Sequence, residues 1–163
     1  MAREIPHLRR YARALVRDPS AADDLVQDCL ERALSKRHLW RRRGSMRSWL
    51  LKILYNIFKN DLRRLRRRPI LSSIETSPPI QATVTNQEQY MACRNIVEAL
   101  KLLSDGQRSA IELLALEDVS YEEAAWILDI PVGTLRSRLS RGRELLRDFG
   151  WGVEKQPKIR RVR

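Results

Sequence analysis

The stretch that decides the fold runs from Ser120 to Arg147 and reads SYEEAAWILDIPVGTLRSRLSRGRELLR. Ser120, followed three residues later by Glu123, is typical of a capping box ahead of a short helix. Asp129 tolerates a left-handed backbone and Pro131 suits a helix's first turn, so the chain can bend and restart a helix at once. The pattern predicts a helix-turn-helix, a motif that places its second helix in the major groove of DNA. An ordinary surface hairpin of two amphipathic helices is the alternative.

The second helix of this motif, called the reading helix below, is predicted to bury its leucines and to expose polar and basic side chains. Leu135, Leu139, Leu145 and Leu146 are expected to lie mostly on one face. Side chains near the start of such a helix contact base edges and phosphates. The candidate DNA-binding residues on it are Thr134, Arg136, Ser137, Arg138 and Arg141.

Positive charge is concentrated in one window of the chain. The 163 residues carry a net charge of +12, and the window from Ser35 to Arg68 alone has thirteen Lys or Arg residues against one acid, Asp61. Such a concentration favours a polyanion bound on one surface, although a solvated helix face with scattered arginines is the alternative. From Glu88 to Phe149 the chain instead has eight basic and eleven acidic residues, and five of the eight bases lie on the reading helix.

The composition argues against several other classes of protein. No apolar stretch approaches the roughly 20 residues of a membrane span, and the first residues lack the apolar core of a secretion signal, so we expect a cytoplasmic protein without membrane insertion. Cys29 and Cys93 stand outside any CxxC pair, which predicts buried thiols and no metal site. Without HExxH, GxxxxGK[ST] or GxSxG motifs, we expect no catalytic residues, no enzymatic activity, no cofactor and no small-molecule substrate.

Apolar periodicity predicts an all-α fold of two small helical domains. Residues 1–66 are expected to form the first domain, and the periodicity fails in the proline-containing segment 67–86, which we expect to be a flexible linker. Residues 87–149 are expected to form the second domain, which contains the helix-turn-helix. Ahead of that motif, Ser104 with Gln107 predicts a capping box for the helix that includes Ala110 to Leu116. Residues 150–163 are predicted to be a basic flexible tail.

Three helices are predicted in the first domain. The first covers Ile5 to Val16, the second opens at Ser20 with Asp23 as its capping partner, and the third begins near Ser45 or Ser48. The inward-facing positions of the second and third helices are predicted to include Leu34, Trp49 and Leu65.

An acidic and amide stripe is predicted on the outward face of the second helix. Asp24, Gln27, Asp28 and Glu31 recur at i, i+3, i+4 and i+7, so they share one helix face beside the basic window. DNA binding alone gains little from such a stripe, whereas a basic protein partner would fit it. Ordinary solvation of a helix, with acids favoured near its N-terminus, is the alternative.

Three segments, in this order, resemble the bacterial RNA polymerase sigma factors of the small, two-domain extracytoplasmic-function group. DDLVQDCLERAL (23–34) is similar to the region 2 helix that binds the clamp helices of the polymerase β′ subunit. GSMRSWLLKILYNIFKNDLRR (44–64) is similar to the segment that melts and captures the minus-10 element, and SYEEAAWILDIPVGTLRSRLSRGR (120–143) to region 4, which reads the minus-35 element. The start LRRYARAL resembles members tied to general stress signalling.

The resemblance implies a set of partners and site residues. The implied partners are core RNA polymerase, through its β′ clamp helices and β flap, promoter DNA and an anti-sigma factor. The implied polymerase contacts are Asp24, Leu25, Gln27, Asp28 and Glu31. The implied minus-10 contacts are Trp40, Arg41, Arg42, Arg43, Ser45, Met46, Asn56, Lys59, Asp61, Arg63 and Arg64. The implied minus-35 contacts are the five residues of the reading helix.

Three places depart from the family's usual pattern, and the first is the loop from Trp40 to Gly44, where a Phe-Arg-Gly-type sequence is common. Met46 stands where an aromatic residue is frequent, and Asp129 stands where the turn glycine is usual. A left-handed Asp129 should cost about 1 kcal/mol or less.

The implied function is to bind core polymerase, direct it to two-part promoters and help to melt the minus-10 region, while polymerase performs the chemistry. A helix-turn-helix regulator that acts without polymerase, a sigma-like decoy for an anti-sigma factor, and a nonspecific basic nucleic-acid binder are the alternatives.

Overall fold

The computed structural model describes residues 1–40, 45–67 and 99–148, and every regular element within these ranges is helical, as the all-α prediction requires. Short 3₁₀ turns cover Ala2–Glu4 and Arg37–Leu39. The complete helices in the described ranges are α1 Ile5–Val16, α2 Pro19–Ser35, α3 Met46–Arg67, α4 Asp105–Leu116, α5 Tyr121–Leu128 and α6 Val132–Asp148. None of these helices combines the length and the apolar character needed to cross a bilayer. The predicted linker 67–86, apart from Arg67, and the predicted tail 150–163 lie outside the described residues.

Local capping sets the starts of the helices. Ser104 and Ser120 each accept a hydrogen bond from the backbone N–H three residues on, and both capping boxes are complete, as the sequence predicts. The predicted N-cap of α2, Ser20, is wrong by two residues. Asp18 is the N-cap and accepts from the N–H of Ala21 at 2.7 Å, because Pro19 takes the first helical position, where its missing N–H costs nothing. Asp23, the predicted capping partner, instead pairs with Arg9.

The turn between α5 and α6 has the predicted left-handed residue. Asp129 has φ 55° and ψ 51°, and the N–H of Ile130 donates to the carbonyl of Ala125 at 3.1 Å. The N–H of Leu135 then donates to the carbonyl of Pro131 at 3.0 Å, so helical hydrogen bonding resumes at once. This turn joins α5 to the reading helix, which is α6.

Two groups of helices form two lobes, each with buried apolar residues. In the first lobe, residues 1–67, the side chains of Leu8, Leu25, Cys29 and Leu50 are buried between α1, α2 and α3. Cys29 donates a hydrogen bond from Sγ to the carbonyl of Leu50 at 3.3 Å. In the second lobe, residues 99–148, the buried apolar residues of α4, α5 and α6 include Leu113, Ala124, Ile127, Leu128, Leu135, Leu139 and Leu146.

Three leucines predicted to face inward are instead exposed. Leu34 and Leu65 are 61% and 65% exposed because they lie in the last turns of α2 and α3. Leu145 is 41% exposed, since its neighbour Leu146 takes the inward position and consecutive residues of a helix point about 100° apart. The prediction that Trp49 faces inward is confirmed, because its ring is partly buried against the core. The ring also stacks on Trp40, with ring centroids 6.2 Å apart.

The two lobes pack directly against each other, which the sequence did not indicate. Helix α1 contacts α4 and α3 contacts α5, and the buried side chains of both lobes form one continuous cluster. The Glu117 carboxylate, whose side chain has no exposed surface, pairs with His7 Nδ1 at 2.9 Å and with Arg10 Nη2 at 2.8 Å. The phenol of Tyr11 donates to the carbonyl of Ser109 at 3.4 Å.

Candidate functional site

The acidic stripe on α2 is exposed along its whole length. Asp24, Gln27, Asp28 and Glu31 are all accessible, and Gln27 Nε2 donates to Glu31 Oε1 at 3.1 Å. Asp23, just outside the stripe, is instead paired with Arg9 at 3.1 Å. The stripe therefore offers acceptors to a basic or hydrogen-bonding partner.

Leu25 lies apart from the other proposed polymerase contacts. Its side chain is 6% exposed and packs in the core of the first lobe. Helical geometry accounts for this, because Leu25 and Cys29 are four residues apart on the inward face of α2. Leu25 is therefore not available for direct contact with a partner, whereas the four polar residues of the stripe are.

The segment that leads into α3 combines an aromatic pair with a serine cap. The Trp40 ring stacks on Trp49 at an interplanar angle of 29°. Ser45 is exposed and its Oγ accepts from the Ser48 N–H at 3.0 Å, while Met46 is half-buried against the core. Three further proposed contacts in this segment lie outside the described residues, namely Arg41, Arg42 and Arg43.

The polar residues of α3 lie on more than one face. Asn56, Lys59 and Arg63 follow each other at i, i+3 and i+7, so they form one stripe, called the basic stripe below. Asp61 and Arg64 lie on another side of α3, where Arg64 Nη2 is 3.8 Å from Asp61 Oδ1. The structure thus groups three of these five proposed minus-10 contacts on one line.

Lys52 continues the basic stripe toward the start of α3, and the sequence reasoning did not select it. Its Nζ lies 3.5 Å from Asp129 Oδ1 and 4.4 Å from the centroid of the Trp126 ring. The position four residues before Asn56 is the signal that could have identified it.

The exposed side of the reading helix has a central line of residues and a flank on each side of that line. Ser137 and Arg141, four residues apart, are both exposed, and Ser137 Oγ donates to the carbonyl of Thr134 at 2.9 Å. Arg136 lies on one flank and is exposed, whereas Arg138 lies on the other and is half-buried, as is Thr134. The five predicted contacts therefore belong to one helix without sharing a single face.

Arg138 turns its guanidinium toward α4. A Cβ atom placed on Gly106 would lie 2.9 Å from Arg138 Cζ. The Arg138 side chain therefore occupies space that is open because residue 106 has no side chain. Burial raises the pKa of the nearby Tyr55 phenol, opposed by a hydrogen bond with Ser109 and by the charge of Arg138. Arg138 therefore lies close to the contact between the lobes.

On the opposite flank of the reading helix, a groove of about 220 Å³ is rich in arginine. Arg143 and Arg147 join Arg136 there at i+7 and i+11, facing Tyr121 of α5. Sequence reasoning missed these two arginines as site residues, although their helical spacing from Arg136 could have shown them.

A buried carboxyl group lies near the lobe contact. Burial raises the pKa of Glu112 to about 7, against the opposing charges of Arg108 and Arg17. Glu112 Oε2 is buried without a hydrogen-bond partner among the described residues. Those residues also contain no group of three or more His, Cys, Asp or Glu side chains arranged to hold a metal ion.

Comparison with known families assigns a relationship to each lobe. Residues 1–55 match the family described as the sigma2 domain of PhyR, and residues 93–146 match sigma-70, region 4. The two matches fall on the lobe with the acidic and basic stripes and on the lobe with the helix-turn-helix, in that order.

Whole-chain comparisons extend across both lobes. The chain is 34% identical to the ECF RNA polymerase sigma factor EcfG of Rhodopseudomonas palustris over 142 residues, 87% of this chain and 78% of the relative. It is also 34% identical to the ECF RNA polymerase sigma-E factor of Escherichia coli K12, over 85% of this chain and 75% of that one.

One similar solved structure is that of the sigma factor RpoE of Bartonella quintana in complex with the anti-sigma factor NepR. The similarity covers 94% of this chain and 95% of RpoE, with 30% sequence identity and a TM-score of 0.73. Both lobes and their order are thus those of one family. The chain belongs to the ECF family of RNA polymerase sigma factors.

Proposed function

We propose that this sigma factor binds core RNA polymerase through the acidic stripe of α2 and directs it to two-part promoters through α3 and the reading helix. The observation that carries the proposal is that three chemically distinct surfaces lie on three separate helices of one chain. A DNA-binding regulator that acts alone would have no use for the exposed acidic stripe.

The acidic stripe is the proposed contact with the β′ clamp helices of polymerase. Asp24, Asp28 and Glu31 supply carboxylates and Gln27 supplies an amide, all exposed on one face of α2. Charge complementarity across such a surface accelerates encounter and suppresses wrong partners. The β flap is the proposed contact of the second lobe.

The first lobe is proposed to hold the displaced strand at the minus-10 element. Single strands bind where basic side chains follow the backbone and aromatic rings receive unstacked bases. The basic stripe supplies Asn56, Lys59 and Arg63, and the Trp40–Trp49 pair lies at the other end of α3. We propose that Ser45 and Met46, which begin this helix, border the captured base.

The reading helix is proposed to bind the minus-35 element. Exposed Arg136, Ser137 and Arg141 are available to base edges and phosphates, and arginine is well suited to bidentate contacts with guanine. Recognition is divided between two lobes, and binding of one lobe to its element raises the effective concentration of the other lobe at the second element. Tight binding therefore requires that the two elements lie at the right separation.

An anti-sigma factor is the proposed negative regulator. The similar sigma factor RpoE of Bartonella quintana is in complex with the anti-sigma factor NepR. We propose that this chain is controlled by a protein of the same kind and acts in the cytoplasm, where polymerase and promoters are found.

The decisive experiment is transcription by purified core polymerase from a random promoter library, with and without this protein. We expect protein-dependent start sites that share two sequence elements at a constant spacing. If the protein adds no start sites, the sigma function is refuted.

A sigma-like decoy is the second candidate, because residues 1–55 match the family described as the sigma2 domain of PhyR. In a solved complex with NepR, PhyR is named an anti-anti-sigma factor. A decoy would bind an anti-sigma factor and neither polymerase nor DNA. It would have no need of the basic stripe or of the arginines on the reading helix. The same library assay separates the two functions.

A further inference from the structure

The groove between the reading helix and α5 carries positive charge that the proposed base contacts do not use. Its arginines follow one line of α6, where Arg136 and Arg147 are exposed and Arg143 is half-buried. The groove has a volume of about 220 Å³, and the residues that line it are Tyr121, Arg136, Leu139, Ser140, Arg143 and Arg147.

The three arginines of this groove have no acidic partner within the part of the chain that the structure describes. None of the ion pairs formed there involves Arg136, Arg143 or Arg147. Arg143 and Arg147 are also four residues apart on one helix, a spacing at which like charges repel and destabilise the helix. An anion bound in the groove would relieve this repulsion.

The groove lies on a different side of α6 from the residues proposed to read bases. At about 100° per residue, Arg143 and Arg147 lie roughly 120° to 160° around the helix axis from Arg141. A helix is about 10 to 12 Å wide and the major groove of DNA is about 12 Å wide, so a helix that enters it fills it. When Ser137 and Arg141 face the base edges, the flanks of α6 therefore face the phosphates that border the groove.

The row of arginines is long enough to follow one DNA strand. Arg136 and Arg147 are eleven residues apart, which is roughly 16 Å along α6 at about 1.5 Å per residue. Successive phosphates of one strand are spaced by about 3.4 Å along the DNA axis. The row therefore covers the length of several nucleotides.

The chemistry of the lining also fits phosphate. A guanidinium group can donate two parallel hydrogen bonds to one phosphate, and its charge does not depend on pH in the physiological range. Tyr121 and Ser140 add hydroxyl groups, which commonly donate to phosphate oxygens in DNA complexes.

Close packing of α6 against α4 fixes the helix at this level. A Cβ atom placed on Gly142 would lie 2.7 Å from Ile111 Cδ1, so the two helices approach closely just before Arg143. The arginines therefore project from a helix whose other side is held against the lobe.

We propose that this groove is a phosphate-binding site for the DNA strand that borders the minus-35 element, with Arg143 and Arg147 as its phosphate-binding residues. Contacts to phosphates fix the position of a protein on DNA and carry no sequence information. The site thus adds affinity and sets the register of the reading helix, while the choice of bases stays with the central line. This inference rests on the proposed function of the second lobe.

The test uses variants of the full chain bound to core polymerase. R143Q/R147Q removes both charges, and R143K/R147K keeps the charges but removes the paired donors of guanidinium. The matched control is R3Q/R13Q, which removes the same charge from exposed positions of the first lobe. Circular dichroism and urea unfolding should show that R143Q/R147Q is at least as stable as wild type, because it removes a repulsive pair.

The first readout is affinity for duplex promoters with an intact or a scrambled minus-35 element. R143Q/R147Q should bind both about tenfold more weakly, so that the ratio between the two promoters is unchanged. R143K/R147K should be intermediate, and R3Q/R13Q should match wild type. The slope of log affinity against log salt concentration should become shallower by about 2, since each lost phosphate contact contributes about 0.9.

The second readout locates the phosphates. Single phosphates beside the minus-35 element are replaced, one at a time, by uncharged methylphosphonates. One or two of these replacements should weaken binding by wild type and by R3Q/R13Q, and they should have no further effect on R143Q/R147Q.

Equal affinity and equal salt dependence of R143Q/R147Q and wild type would overturn the proposal. So would a loss confined to the intact minus-35 element, which would mean base contacts, or an equal loss in R3Q/R13Q, which would mean a general effect of charge. If R143Q/R147Q loses helix content, the exposed single variant R147Q is compared with R13Q in the same assays. Failure of the sigma function would appear separately, because wild type itself would then add no start sites in the library assay.

Discussion

The hydroxyl of Ser48 donates a hydrogen bond to Oε1 of Glu123, which lies 75 residues later in the chain. The other oxygen of the same carboxylate, Oε2, accepts from the backbone N–H of Ser120 at 3.3 Å and completes the capping box of α5. One side chain thus starts the helix-turn-helix and also holds it against α3. The local role follows from sequence spacing, whereas the second role depends on how the lobes pack.

Replacing Ser120 with Ala should destabilise the second lobe by about 1 kcal/mol, because the N–H of Glu123 loses its side-chain acceptor. The free energy of unfolding from urea titration measures this loss. S120T is the matched control and should stay near wild type, since threonine also caps helices. A loss from S120A below about 0.3 kcal/mol would contradict the capping role.

Replacing Asp24 and Asp28 with Lys should abolish binding to core polymerase without unfolding the first lobe. Both residues are exposed, so the change reverses the charge of the acidic stripe and removes no core packing. Co-elution with core polymerase measures the effect. E122K/E144K, with the same change in net charge on the second lobe, is the control and should retain binding. Retained binding by D24K/D28K would refute the role of the stripe.

Replacing Arg136 with Ala should weaken preference for the upstream promoter element by about 1 to 3 kcal/mol if this arginine reads a base. R138A should do the same if Arg138 reads a base. Binding of the protein to promoter variants in the presence of core polymerase measures both effects. A loss that is uniform across sequences would identify either arginine as a phosphate contact instead.

Gly106→Ala should push the guanidinium of Arg138 off α4, because the new Cβ would lie 2.9 Å from Arg138 Cζ. The expected result is a modest gain in affinity for DNA and no loss of stability, since alanine favours helix and the displaced group ends a flexible side chain. Fluorescence anisotropy with a labelled duplex measures the gain. In an R138A background the same substitution should have no effect, and a gain there would contradict this explanation.

Replacing Glu112 with Gln should stabilise the protein at pH 8 and leave it nearly unchanged at pH 4.5. Burial raises the pKa of Glu112 to about 7 in the folded chain, so ionisation opposes folding as pH rises from the unfolded value of 4.5 through 7. The gain at pH 8 should approach about 3 kcal/mol, at about 1.4 kcal/mol per pKa unit. Urea unfolding at the two pH values measures it, and an equal effect at both would show that charge is not the cause.

The sequence alone predicted the local features of this fold. Capping boxes at Ser104 and Ser120, the left-handed turn at Asp129 and the all-helical class follow from interactions between residues a few positions apart. The exposure of the acidic stripe follows in the same way, because helical periodicity assigns residues to faces. The roles of the proposed polymerase and DNA contacts stay predictions until the variants above are tested.

Tertiary structure decided what depends on distant contacts. The pairing of Glu117 with His7 spans 110 residues, and no short-range pattern specifies it. The exposure of Leu34 and Leu65 depends on where the packed part of each helix ends, and the half-buried position of Arg138 depends on the space left by Gly106. Spacing along the chain determines which face of a helix a residue occupies, but only packing determines what that face meets.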